Sequence, residues 1–139
     1  MTRRGTLGRL ERYVIAESEI GVAIEDARAL ARGATRAIAL DDSTPPEVIG
    51  AIRALADAVR QLANVLDDEA DPQRAREAAM SAVGLANAVL AETSNMSALY
   101  IVGQVRLIAT DLLRASGMER AEASQTVRSA PIERLDDAS

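Results

Sequence analysis

The sequence predicts an all-α fold, an antiparallel four-helix bundle with a long first helix and a short extra helix at the C-terminal end. Apolar residues recur at the three- and four-residue spacing of amphipathic helices along most of the chain, whereas the alternation typical of strands is absent. Segments rich in proline, aspartate and serine separate the helical stretches. The 139 residues, 48% hydrophobic and 27% charged, suffice for one domain with a buried core.

The first predicted helix extends from about Thr6 to Leu40, where a proline-rich break at 41–46 ends it. Its cleanest apolar row keeps helical spacing, which predicts that this row faces the core. The row contains Ile20, Ile24, Ala27, Ala31, Ala34 and Ile38.

A capping box predicts the start of the second helix. Thr44 is the expected N-cap, Pro45 occupies the first helical position, and Glu47 follows the cap by three residues. The apolar residues of this helix form a heptad-like row, which predicts a buried seam. The seam contains Val48, Ile52, Leu55, Val59, Leu62 and Leu66.

Asp71 is expected to cap a third helix that ends near Thr93. Its predicted seam has small side chains, which suit the bulky seams of the second and fourth helices. The seam contains Ala75, Ala79, Ala82, Ala86 and Val89.

The fourth helix is predicted to begin after a cap at Ser94 or Asn95 and to end before Gly117, a natural C′ residue. It is apolar on most sides, which is typical of a central, buried helix. A short amphipathic segment from Glu119 to about Arg128 predicts a last helix. We therefore expect one domain over residues 1–130 and a disordered acidic tail over 131–139.

Composition excludes several classes of function. The chain has no cysteine and no histidine, so it lacks thiolate and imidazole ligands, cysteine nucleophiles and histidine bases. Two tyrosines as the only aromatic residues and a net charge of −5 argue against nucleic-acid binding. All 16 basic residues are arginine, and helical enzymes of the chorismate mutase type need a lysine. The acids are too scattered for helical pyrophosphatase chemistry, and neither acidic loop has the calcium-loop pattern. We expect no enzyme, no metal and no cofactor.

Glu17 is the first polar residue that calls for an explanation. It continues the apolar row of the first helix backwards, together with Tyr13 and Leu10. One interpretation is that the first two turns project beyond the bundle and leave Glu17 exposed. The other is a buried carboxylate paired with an arginine or with a ligand.

A second group of polar residues interrupts the apolar fourth helix. It includes Gln104, Arg106, Asp111 and Arg114, and the last two share a face and are spaced for an ion pair. These residues form either the narrow exposed stripe of a buried helix or a network that sets helix register or contacts another subunit.

Two segments resemble a known family. The segment Gly103–Ala123, GQVRLIATDLLRASGMERAEA, resembles the C-terminal cytoplasmic region of actinobacterial fusaric-acid-resistance (FUSC, aromatic acid exporter) membrane proteins. Glu17–Gly33 and the Pro45–Pro46 loop resemble the segment after the last membrane span in that family. The resemblance implies a helical cytosolic portion that accompanies a membrane portion. No catalytic or substrate residue of the family can be carried over.

The resemblance also implies where the chain acts. The basic residues at its start would form a positive-inside cluster below a membrane, namely Arg3, Arg4, Arg9 and Arg12. No signal sequence and no run of about 20 apolar residues is expected, since the longest run, 96–105, ends at Arg106. We expect a cytoplasmic domain at the inner face of the plasma membrane.

Two functions follow as expectations. The first is a non-enzymatic domain of a FUSC-like exporter that forms a homo-oligomer or packs against the membrane-embedded portion. The start of the first helix or the fourth helix would lie at the interface. The alternative is a free-standing helical bundle that binds a small ligand or a partner protein.

Overall fold

The computed structural model describes residues 3–40, 44–68 and 71–135, and it confirms the all-α prediction. These parts of the chain contain five α-helices and no strand. The helices are α1 (Arg3–Ala39), α2 (Pro46–Asp68), α3 (Gln73–Glu92), α4 (Met96–Ala115) and α5 (Arg120–Arg128).

Local signals define both ends of α4 as predicted. The side chain of Asn95 accepts hydrogen bonds from the amides of the second and third helical residues, at 2.9 and 3.1 Å. Gly117 has a φ of 104°, which favours glycine. Its amide donates to the carbonyl of Arg114 at 2.9 Å, and the amide of Met118 donates to that of Leu113 at 3.1 Å. These two bonds form a Schellman motif.

The starts of α2 and α3 lie one residue later than predicted. Helix α2 begins at Pro46, and Pro45 precedes it as the acceptor for the amide of Val48 at 3.0 Å. Pro72 is the N-cap of α3, so Asp71, the predicted cap, lies one residue earlier, where its side chain accepts the amide of Gln73 at 3.0 Å. Shifts of this size are common at helix ends.

Helix α4 is central, as its composition predicts. It packs against α1, α2, α3 and α5, while α2 also packs against α3. Contacts at both ends show that α1 and α4 run antiparallel, since Glu19 reaches Arg114 and Gly33 lies against Tyr100. In the same way α3 and α4 run antiparallel. The buried residues of α4 are Ala98, Ile101, Val102, Val105, Ile108, Ala109, Asp111, Leu112 and Leu113.

Helix α4 differs from expectation in one respect. Among the described residues it is the one helix long and apolar enough to cross a membrane by length and composition, whereas the sequence analysis expected no such segment. A core helix passes the same test, and the contacts of α4 with four other helices are those of a core helix.

The fully buried row of α1 lies one residue before the predicted row, which is a rotation of about 100° around the helix. Ile20 and Ala34 of the predicted row still pack, partly buried, against the core, but Ile24 is exposed. Gly33, from the buried row, allows close approach, because a Cβ there would lie 2.7 Å from the Tyr100 ring. Small residues thus let α1 lie close to α4. The buried residues of α1 are Ala16, Glu19, Ala23, Leu30, Gly33 and Ala37.

The predicted seam of α2 is correct at alternate positions. Val48, Leu55 and Leu62 are buried, but Val59 is 51% exposed, contrary to prediction. Ala51 and Ala58 lie in the core instead, because their side of α2 packs against α3 and α4. The predicted seam of α3 is buried throughout.

Residues 131–135, predicted to begin a disordered tail, lie against α3. The amide of Glu133 donates to the carbonyl of Gly84 at 3.0 Å, and Ser81 donates to the Glu133 carboxylate at 3.0 Å. A Cβ on Gly84 would lie 2.8 Å from that of Glu133, so the close approach requires glycine. The rest of the predicted tail, 136–139, lies outside the described residues.

Candidate functional site

The interface between α1 and α4 contains a group of polar residues, which we call the α1–α4 polar cluster. Glu19 and Asp26 of α1 lie two turns apart on the face that meets α4. Gln104, Asp111 and Arg114 lie on the facing side of α4. Three residues that the sequence analysis singled out therefore lie in this cluster. The cluster also contains two acids of α1 that the sequence analysis did not single out.

An ion pair crosses this interface. Arg114 Nη2 lies 2.7 Å from Glu19 Oε1, and the side chains are only 22% and 7% exposed. A carboxylate removed from water is costly unless a cation or donors compensate it. Arg114 compensates one oxygen, whereas Glu19 Oε2 is buried without a hydrogen-bond partner among the described residues.

Asp111 is the most perturbed acid of the cluster. The pKa of its carboxyl is raised from 3.8 to about 7, chiefly by burial. A hydrogen bond with Asp26 and the charges of Asp26 and Glu19 contribute to this rise, while the charge of Arg114 opposes it. Two carboxyl groups can form a hydrogen bond only when one holds a proton. We therefore assign the proton to Asp111, which donates it to Asp26.

The cluster has more acceptors than donors. Gln104 Oε1 and Asp111 Oδ2 are also buried without a partner in the described part of the chain. No set of three or more acids among the described residues is arranged to hold a metal ion. Buried carboxyl groups that face a single guanidinium can bind and release a proton between the two helices.

The polar residues of α1 and α4 have partners that differ from those the sequence suggested. The spacing of Asp111 and Arg114 would allow them to pair with each other, but Arg114 pairs with Glu19. Glu17 is exposed, which agrees with the first of its two interpretations. The buried acid paired with an arginine is Glu19, two residues later. The repeat of acids at 19 and 26 within the row of small residues was the available signal.

Arg106 belongs to a different network on the opposite side of α4. Its Nη1 donates to Asn87 Oδ1 at 2.9 Å, and Asn87 Nδ2 donates to the carbonyl of Ala130 at 3.1 Å. These bonds connect α4, α3 and the segment after α5. Such a network fits the predicted role in helix register.

The first turns of α1 project beyond the bundle. Helix α1 has 37 residues, about 55 Å, against 20 residues in α4. Because Glu19 faces Arg114, near the end of α4, residues 3–17 extend past it; we call them the N-terminal arm. The Tyr13 hydroxyl donates to the carbonyl of Leu66 in α2. The exposed apolar residues of the arm are Leu7, Leu10, Tyr13, Val14 and Ile15.

A cleft lies at the other end of the α1–α4 interface. Its volume is about 560 Å³, and its lining includes Arg32, Arg36, Leu40, Met96 and Tyr100. It contains no residue of the α1–α4 polar cluster. Two guanidinium groups beside apolar side chains would suit an anion with an apolar body.

No known protein family, no curated protein and no solved structure matches this chain.

Proposed function

We propose that the chain is a non-enzymatic helical domain that acts through contact, and that its N-terminal arm joins the arm of a second copy. The observation that carries this proposal is the exposed apolar stripe formed by Leu7, Leu10 and Val14. Their spacing is that of one helix face, so two arms could bury their stripes against each other. Contiguous apolar residues that remain exposed on one helix face often mark an interaction site.

The use of the polar residues supports contact rather than catalysis. The chain lacks histidine and cysteine. The charged residues of the α1–α4 polar cluster bind one helix to another, and Arg106 likewise connects α4 to α3. The buried polar chemistry is thus directed to helix assembly.

The proposed setting is the cytoplasmic part of a FUSC-like inner-membrane protein. Its support is the resemblance of 17–33 and 103–123, two segments that include the α1–α4 contact. In this setting the arm, with Arg3, Arg4 and Arg9, would lie nearest the membrane-embedded portion. The coding sequence upstream of Met1 tests this setting, because membrane spans encoded there would support it. If the gene begins at Met1 and encodes no spans, the proposal of this setting falls.

The oligomeric state tests the proposed contact. Analytical ultracentrifugation at several hundred micromolar should show a dimer or higher oligomer. Leu10→Glu with Val14→Glu should give a monomer with unchanged helix content. Ile49→Glu with Leu90→Glu is the matched control, because these residues are also apolar and exposed but lie on α2 and α3. A monomeric wild type, or an oligomer that only the control disrupts, would contradict the proposal.

A second candidate function is a bundle that binds a small anion in the cleft between α1 and α4. The observation that favours it is the pair Arg32 and Arg36 beside Tyr100. Titration with octanoate, followed by NMR, would test it with Arg32→Gln and Arg36→Gln as the binding-deficient variant. A strictly monomeric chain that binds octanoate in this cleft would favour this alternative over the arm.

A further inference from the structure

The attachment of α1 to the bundle depends on an interface with an unusual shortage of donors. Helix α1 packs chiefly against α4. In the described part of the chain, the buried side-chain atoms without a hydrogen-bond partner are Glu19 Oε2, Gln104 Oε1 and Asp111 Oδ2. All three belong to the α1–α4 polar cluster, and all three are acceptors.

One proton changes both the net charge and the hydrogen bonding of this interface. Glu19, Asp26 and Asp111 face a single guanidinium, Arg114. With a proton on Asp111, the cluster has a net charge of −1 and Asp111 donates to Asp26. Without it, the net charge is −2, the hydrogen bond between the carboxyl groups is lost, and the two carboxylates repel each other.

We propose that the proton shared by Asp111 and Asp26 controls how firmly α1 is held on α4, so that α1 loosens as the pH rises toward 8. The contact acts within one chain and does not depend on the partner of the N-terminal arm.

The charged groups that act on Asp111 all lie on α1 and α4, namely Asp26, Glu19 and Arg114. The helices that pack against α4, apart from α1, are α2, α3 and α5. Among their charged groups, Asp57 pairs with Arg60, Arg76 bonds to Ser116, and Glu119 and Arg120 are exposed. The response therefore depends on Asp26, Glu19 and Arg114.

The direction of the response follows from linkage. Burial, together with the neighbouring acids Asp26 and Glu19, holds the pKa of Asp111 at about 7 when α1 is docked, against 3.8 for a solvated carboxyl. Between pH 3.8 and about 7, Asp111 thus keeps its proton when α1 is docked on α4 and releases it when α1 is detached. Docking is favoured at the acidic end of this range, and the opening equilibrium rises up to about tenfold per pH unit until about pH 7. Above that pH it levels off.

Hydrogen exchange of α1 tests this response. Amide exchange over residues 19–37, corrected for intrinsic rates, should show protection that falls by at least tenfold between pH 5.5 and 8. The amides of α3 should change less. In Asp111→Asn, the amide replaces the protonated acid as donor to Asp26, so α1 should stay protected across the range. Glu25→Gln is the control, because Glu25 is exposed on the same helix, and it should retain the wild-type response.

Carboxyl NMR supplies a second measurement. In protein labelled with ¹³C-aspartate, one carboxyl should titrate near pH 7 and should be missing from Asp111→Asn. If that variant does not fold, Asp26→Asn should lower the midpoint of this titration, since it removes a neighbouring negative charge. Protection of α1 that is constant from pH 5.5 to 8 in the wild type would overturn the proposal. A wild-type response that persists in Asp111→Asn would do the same.

Discussion

Replacement of Arg114 by methionine tests whether a buried ion pair stabilises the fold more than an exposed one does. Arg114 and Glu19 lie 2.7 Å apart with side chains 22% and 7% exposed. Arg28 and Glu25 lie at the same distance of 2.7 Å, but their side chains are 65% and 69% exposed. The two pairs share residue types and distance, but the first is buried between two helices whereas the second is exposed on one helix.

The expected cost follows from what Arg114→Met leaves behind. Glu19 would lose the cation that it contacts in the interface, near Asp26 and Asp111, with its second oxygen already unpartnered. Removing one partner of a buried pair costs about 3–5 kcal/mol of unfolding free energy. Because Arg114 is partly reached by water, we expect about 3 kcal/mol, near the lower end of that range. In a chain of this size that lowers the Tm by roughly 6–12 °C.

Arg28→Met is the matched control, and urea unfolding at pH 7 followed by circular dichroism measures both variants. An exposed pair on one helix contributes about 0.5 kcal/mol or less, so the control should unfold almost as the wild type does. The double variant with Glu19→Gln and Arg114→Met contains neither charge of the pair. It should therefore recover most of the unfolding free energy that Arg114→Met loses. Equal losses for Arg114→Met and Arg28→Met would refute the reasoning from burial.

Further substitutions test the core, a cap and the C-terminal segment. Val105→Ala should cost about 2 kcal/mol because Val105 is buried, whereas Val59→Ala should cost about 0.5 kcal/mol or less because Val59 is largely exposed. Similar losses for the two variants in urea unfolding would mean that Val59 is buried, as the sequence predicts. Asn95→Ala should lower the unfolding free energy by about 1 kcal/mol through loss of the α4 cap, and an unchanged value would argue against the cap. Gly84→Ala should displace Glu133, because a Cβ at position 84 would clash with it. The C-terminal segment should then be cleaved faster by a protease, and an unchanged cleavage rate would contradict the close approach of Gly84 and Glu133.

The starts and ends of α3 and α4 were predictable because they depend on residues close together in the chain. Asp71 and Asn95 accept hydrogen bonds from amides two or three positions ahead. Gly117 allows the backbone turn that closes α4. Such signals are complete within one helical turn, so they can be identified without knowledge of the rest of the fold.

The polar cluster was predictable only on one of its two helices. Gln104, Asp111 and Arg114 stand out because they interrupt an apolar helix. The partners of Arg114 and Asp111, Glu19 and Asp26, lie more than 80 residues away in the sequence and outside the row of α1 that was predicted to face the core. The pairing of Arg114 with Glu19 thus depends on which face of α1 meets α4.

By itself, the sequence determined the all-α class, the order of the helices and the central position of α4. These properties follow from hydrophobic period and from hydrogen bonds within each helix. Tertiary structure decided the rotation of α1 and α2 about their axes, since two neighbouring rows of each helix satisfy the same period. Packing selected the row of smaller residues, with Gly33 against Tyr100 and Ala58 in the core in place of Val59. Close approach of the backbones outweighed the burial of larger side chains, and the same rotation brought the acids of α1 against α4.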